Sequence, residues 1–360
     1  MTLRPSQILH TAIISTTSRL VGEYEAPDLL IMHASPDFRN ASGLARTVEG
    51  ASSRNAFMCV FQTPLDETPV GMPHPDYSYL AENLTHLLSV LFGKRFDNQG
   101  LIQTQGSFRL PDLSQYAQFA RSSFPHNSHN PRVDFQIPLN LEQVARLEPL
   151  LKAGSADHPP ARLFQTAAKF YCLALRSFES DSEIAYLHLI TALEILAGGD
   201  ERSNHEFLDE DTKGHLATIR QELQNGEKIA KQFESRMRQI KRRFADFVQS
   251  SITQEFFSRT ENLCSEGCFE LHAFSKTVAA AYDLRSKYVH TGVPFGALVG
   301  IDAGTSNQEL RTVPAPTQDK ELAKILKVAP TLVGLARVTR CCLFRFAEVH
   351  QVIKRDHLSP

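Results

Sequence analysis

The chain has 360 residues, 42% of them hydrophobic and 22% charged, which is the balance of a globular protein and excludes a disordered or fibrous one. That length exceeds what one hydrophobic core usually organises, so two cores are expected. A formal net charge of −2 gives no global attraction for polyanions, and any nucleic-acid contact has to come from a local patch.

Residues 1 to about 155 alternate short apolar runs with turn-rich stretches, and the pattern predicts a mixed α+β domain. Its expected strands are Leu9 to Ile14, Leu29 to His33, Ala56 to Gln62, Leu101 to Leu110 and Val133 to Leu139. One helix is expected from Tyr79 to Phe92, where Leu80, Leu84, Leu87, Leu88 and Leu91 recur at helical spacing before Gly93. A second, shorter helix is expected from Leu141 to Lys152. Isolated histidines at 10, 33, 74 and 86 name no chemistry, so this half reads as a sensing or interaction domain whose trigger is unknown.

The stretch AGSADHPP, Ala153 to Pro160, stacks small, polar and proline residues and marks the expected boundary. Beyond it, residues 161 to 356 predict an all-α domain, which makes the chain predominantly helical overall. The first helix runs from Arg162 to Phe178. The second starts at the N-cap pair Asp181 and Ser182 and ends at Gly198 and Gly199, antiparallel to the first. A polar loop covers Asp200 to Gly214, followed by a helix from Lys213 to Asn225.

An amphipathic helix is expected from Glu227 to Val248, with Ile229, Phe233, Ile240, Phe244 and Phe247 on one side and Lys231, Arg238 and Arg242 on the other. Another spans Ala273 to His290 and stops at Gly292 and Pro294. Gly296 to Thr317 reads as a loop with a hairpin, and a last helix, Asp319 to Lys354, is divided by Pro330.

The segment YDLRSKYVHTG, Tyr282 to Gly292, carries an arginine and a histidine separated by four residues at a helix end. This resembles the R-x4-6-H signature of the HEPN superfamily, and YLHLITALEILAGG, Tyr186 to Gly199, resembles the helix of its Apea-like branch. The likeness covers roughly the C-terminal 200 residues and implies an up-and-down helical bundle. It also implies a homodimeric endoribonuclease serving as a regulated toxin or defence effector, or else a non-catalytic HEPN module that binds RNA, a nucleotide or a protein partner. In many members the residue after the arginine is Asn, His or Asp; here it is Ser286, whose hydrogen-bonding group is shorter.

The chemistry of the two residue types fits RNA cleavage. Arg285 carries a permanent charge with paired donors that match phosphate, and would stabilise charge on the scissile group. Neutral His290 can take the proton from a ribose 2'-hydroxyl, and its imidazolium can protonate the departing 5'-oxygen, with no cofactor and no metal. The resemblance implies 2',3'-cyclic phosphate and 5'-hydroxyl ends. Five positions of an α-helix turn through about 140°, so convergence of Arg285 and His290 needs the helix to end, and Gly292 supplies the terminating turn. On the structural reading, Arg285 pairs with an acid such as Asp283 or Glu194 and His290 caps a helix.

Glu194, beside the apolar stripe of its helix, either orients Arg285 or sits at the rim in solvent. Tyr288 either contacts phosphate or a base, or belongs to the core. Between Lys228 and Arg243 seven basic residues stand against one acid, a patch that serves RNA binding through Lys231, Arg238 and Arg242 or is a solvated helix face. Cys264 and Cys268 in CSEGC lack a second ligand pair for zinc, and His272 alone does not complete a site. The six scattered cysteines therefore read as reduced thiols. No run approaches the roughly eighteen apolar residues of a membrane span, and Met1 to Ile8 lacks a secretory signal, so a cytoplasmic protein is expected.

Overall fold

The computed structural model describes residues 6–34, 55–65, 75–105, 107–112, 114, 120–152, 157–199, 202, 204–236, 240–264, 266–300 and 307–354. A small antiparallel sheet near the N-terminus is followed by a helical region, and about 51% of the chain is helical. The sheet is built from β1 (Gln7–Thr16), β2 (Tyr24–Glu25), β3 (Leu29–His33), β4 (Asn55–Pro64), β5 (Phe96–Thr104) and β6 (Ser107–Phe108), in the order β2-β3-β4-β1-β5-β6. Period-two alternation sets its faces: Ala12 pairs with Cys59 and Ile14 with Phe57, while Ile31 lies beside Cys59, and all five are buried on one side.

Helix α1 (Ser78–Phe92) packs against β1 and β5 through buried Leu84, Leu87, Leu88 and Leu91. It ends at Gly93, whose φ of +61° is left-handed. A Cβ there would lie 2.6 Å from Arg132 Cγ and 2.8 Å from Arg340 Nε, so glycine meets both the conformation and the close approach of two buried guanidinium groups. After a 3-10 segment, Leu141–Leu147, come α2 (Glu148–Leu151), α3 (Pro159–Ser177) and α4 (Ser182–Ala197). Asp181 caps α4 by accepting from Ile184 N at 2.9 Å.

There follow α5 (Glu210–Glu222), α6 (Gly226–Arg236), α7 (Ile240–Ser251), α8 (Gln254–Ser258), α9 (Phe274–Thr291), α10 (Gly296–Val299), α11 (Lys320–Leu326) and α12 (Leu332–Val349). Helix α4 is central: α3, α7, α9, α10 and α12 all pack on it. Helix α3 also packs on α1, so the main cluster of buried apolar side chains runs from Ile14 and Phe57 through Leu88 and Phe164 to Leu193 and Leu343. The two cores expected from length are thus one continuous cluster, beside a small satellite of Leu208, Leu216 and Ala230.

Several elements depart from expectation for identifiable reasons. Val133 to Leu139 is not a strand. The Phe135 carbonyl accepts from Arg340 at 3.3 Å, so a side chain takes the place of a ladder partner, and among the described residues the strand-like contact beside this stretch is the Val21–Asn140 bridge. The strand expected from Leu101 to Leu110 begins earlier, at Phe96, and is broken by a turn at Gln105, φ +48°. Leu141 to Lys152 is not one α-helix, because Pro149 in the first turn of α2 cannot donate to the 3-10 segment before it.

Helix α5 begins inside the expected loop because Asp209 caps it, accepting from Thr212 N at 2.7 Å. The amphipathic helix is described as α6 and α7, with 237–239 outside the described residues. Its apolar side is only partly covered: Phe244 and Val248 are buried, whereas Phe233 is 47% exposed and Ile240 is 50% exposed. Gly296 to Thr317 contains α10 and, among its described residues, no hairpin. Pro330 does divide the last helical stretch, into α11 and α12, and α12 ends at Val349. No helix among the described residues is long and apolar enough to cross a membrane.

Candidate functional site

Helices α4 and α9 carry the residues singled out by the sequence, and side-chain packing aligns them antiparallel. Near the end of α4, Glu194 Oε2 lies 3.4 Å from Arg285 Nη2 in the middle of α9. At the opposite end, the Glu183 carboxylate accepts from Phe295 N at 3.2 Å and Gly296 N at 2.7 Å, holding the chain that leaves α9 against the start of α4. Side-chain exposures of 27% for Arg285 and 20% for Glu194 leave the pair reachable from solvent but partly shielded from screening.

Tyr282 completes this group, one turn before Arg285. Its hydroxyl donates to Glu194, and both burial and the neighbouring carboxylate hold the phenol above its ordinary range. The Arg285 guanidinium sits 5.8 Å from the centre of the Tyr282 ring, and that ring packs on Phe244 of α7 at 5.3 Å. Glu194 is therefore a partner of Arg285 and not a free rim carboxylate. Asp283, the other acid considered for Arg285, pairs with Lys241 at 2.5 Å. Tyr282 escaped the sequence reading, although its i,i+3 spacing to Arg285 was visible.

His290 lies elsewhere. Helix α9 stays regular through Thr291, and the left-handed Gly292, φ +68°, caps it by donating to Tyr288 O at 2.8 Å. The expected return of His290 toward Arg285 does not occur, because the helix ends two residues too late. On a regular helix the two positions differ by about 140° in direction and about 7.5 Å along the axis. His290 is exposed and shares its side of α9 with Ser286, one turn earlier and half-buried. Tyr288 is half-buried and packs against the core, edge-on to Phe295 at 5.5 Å, and Phe295 meets Tyr186 edge-on at 5.3 Å. The aromatic reading of Tyr288 as core holds; a contact with phosphate or base would need that stack to open.

The basic stretch around α6 and α7 is largely matched within the chain. Lys231 pairs with Glu227 at 3.2 Å. Arg242 pairs with Asp209 at 3.1 Å and donates to Phe207 O at 3.0 Å. Arg243 donates to Arg202 O at 2.7 Å, and the two arginines cover the Phe207 ring at 4.4 and 4.8 Å. Arg238 lies outside the described residues. The groups that Arg242 and Arg243 meet, Asp209, Phe207 O and Arg202 O, lie in the stretch before α5, outside the window in which the charges were counted, whereas Glu227 lies on α6 itself, one turn before Lys231. Among the described residues no group of three or more His, Cys, Asp or Glu is placed to hold a metal ion. No family model, curated protein or solved structure matches the chain.

Proposed function

We propose that this chain is a metal-independent endoribonuclease of HEPN type, with Arg285 as the phosphate-binding cation and His290 as the proton-transfer group. The observation that carries this reading is the Glu194–Arg285–Tyr282 group on facing helices. A carboxylate and an aromatic ring hold a partly exposed guanidinium in place, as a phosphate clamp requires. The 3.4 Å separation is longer than a tight charged hydrogen bond, so Arg285 retains donors for a second anion. His290, exposed five residues later, is free to approach a ribose.

Because the two side chains diverge on one helix, the active site is composite in this proposal. The Arg285 of one copy acts with the His290 of a second in a homodimer, and the N-terminal sheet restrains or triggers the assembly. The alternative, a non-catalytic helical module that binds RNA, a nucleotide or a protein partner, is favoured by that same divergence, since one copy alone holds no assembled pair.

Incubation of the full chain with labelled cellular RNA in EDTA decides between them. Cleavage that leaves 2',3'-cyclic phosphate ends is expected, with a loss of at least about 100-fold in the His290→Ala variant, the usual size of a general acid–base contribution. The exposed position of His290 keeps that variant folded. Equal inactivity of wild type and variant, in a preparation shown by scattering to be dimeric, would overturn the nuclease reading.

A further inference from the structure

Four of the six cysteines are withdrawn from thiol chemistry. Cys59, Cys172 and Cys342 are buried, and burial pushes each thiol above its ordinary range. Cys341 is pushed up to about 12, by burial first and then by the Asp134 carboxylate. A thiol held protonated inside the protein is a poor nucleophile. Cys264 and Cys268 differ: one is exposed, the other half-buried, and both lie in the loop between α8 and α9.

The side chain of Asn262 folds that loop. Its Oδ1 accepts from Cys264 N at 3.0 Å, while its Nδ2 donates to Glu266 O at 2.8 Å and to Cys268 Sγ at 3.4 Å. The Cys268 thiol donates in turn to the Cys264 carbonyl at 3.5 Å. Gly267, with φ of +76°, makes the turn that carries Cys268 back over Cys264. The Cys268 sulfur thus rests against the backbone of Cys264, and the exposed Cys264 side chain is the group that must rotate toward it for a bond to form.

We propose that Cys264 and Cys268 form a reversible disulfide by exchange with a low-molecular-weight disulfide, which makes this loop a thiol-oxidation site. The Cys264 thiolate attacks one sulfur of the small disulfide, forming a mixed disulfide and expelling one small thiolate. The Cys268 thiolate then attacks the Cys264 sulfur and expels the second. Two electrons pass from the protein sulfurs to the small disulfide, and the two protons of the protein thiols finish on the two small thiols released.

The location gives the reaction a consequence. At one side of the loop Glu261 pairs with buried Arg132 at 2.5 Å; at the other, Phe269 N donates to Glu309 at 2.7 Å, and Glu309 pairs with buried Arg337 of α12. Ring closure removes the Cys268 S–H that donates to the Cys264 carbonyl and tightens the chain between these two anchors.

The test is exposure of the full chain to oxidised glutathione, followed by alkylation of the remaining thiols, intact mass and peptide mapping. The expected result is loss of two of the six thiols, a mass about 2 Da lower before alkylation that mapping assigns to a Cys264–Cys268 link, and full reversal by dithiothreitol. Cys264→Ser and Cys268→Ser should each leave a glutathione adduct on the remaining cysteine of the pair. The proposal is overturned if the wild type stops at such an adduct, or if any of the other four cysteines reacts first. It is equally overturned if all six thiols survive a glutathione ratio that oxidises the isolated Asn262–Glu270 peptide.

Discussion

Lys94 has its amino group wholly inside the protein, where Nζ donates to Pro125 O at 2.5 Å and to Ser128 Oγ at 2.9 Å. Burial, and then the neighbouring Arg132 charge, push its pKa down to about 6. A neutral amine has two N–H donors, and two acceptors are present. The linkage has a definite sign. Between about pH 6 and the ordinary lysine value the unfolded chain binds one more proton at this position than the folded chain, so this group makes stability rise with pH across that window. Below about pH 6 both states are protonated and the dependence from Lys94 vanishes. Denaturant unfolding at pH 7, 8 and 9 should show Lys94→Met with a slope smaller by up to about 1.4 kcal/mol per pH unit. An unchanged slope would show that Lys94 stays charged in the fold.

Elements in this protein are joined at their ends by buried guanidinium groups. The last carbonyls of a helix have no partner within the helix. In α1 they find one far along the chain: Arg340 of α12 donates to Val90 O at 2.9 Å and Leu91 O at 2.8 Å, and pairs with Asp134 at 3.2 Å. Arg132 adds a donation to Gly93 O at 3.0 Å. Arg340→Met keeps much of the volume but orphans these carbonyls and leaves the Asp134 carboxylate buried with one cation fewer. A loss of about 3–5 kcal/mol is expected, the range for breaking a buried ion pair from one side. Hydrogen exchange at the end of α1 should rise together with the global loss; protection there that is unchanged would place the role of Arg340 elsewhere.

At the scale of the molecule, the apolar cluster crosses the 153–160 stretch without interruption, through the packing of α1 on α3 and of α12 on α3 and α4. Buried ion pairs cross it too, Arg132 with Glu261 and Arg340 with Asp134. Elements that share one core lose their burial together. Thermal unfolding followed at once by calorimetry and by amide protection in β1 and α4 should therefore give one coincident transition. Two separated transitions would show that the sheet and the helices are stable independently.

Alternation in β1, β3 and β4, leucine spacing in α1, the Asp181 cap of α4, the Gly93 and Gly292 stops and the break at Pro330 were all legible in the sequence. Each depends on the backbone geometry of a few neighbouring residues, and that geometry is written locally. The meeting of α4 and α9 was legible only as one alternative: Glu194 stood beside an apolar stripe and needed a partner, and Arg285 could pair with it or with Asp283. That they pair, and that Tyr282 joins them, depended on contact across 91 residues. Tertiary structure alone decided the rest. It paired Lys241 and Arg242 with acids and left Phe233 and Ile240 exposed on an amphipathic stripe. It also buried Arg337 and Arg340 in α12. The physical reason is common to all of these: whether a charge is matched or an apolar face covered depends on what the rest of the chain brings against it, and no local window contains that information.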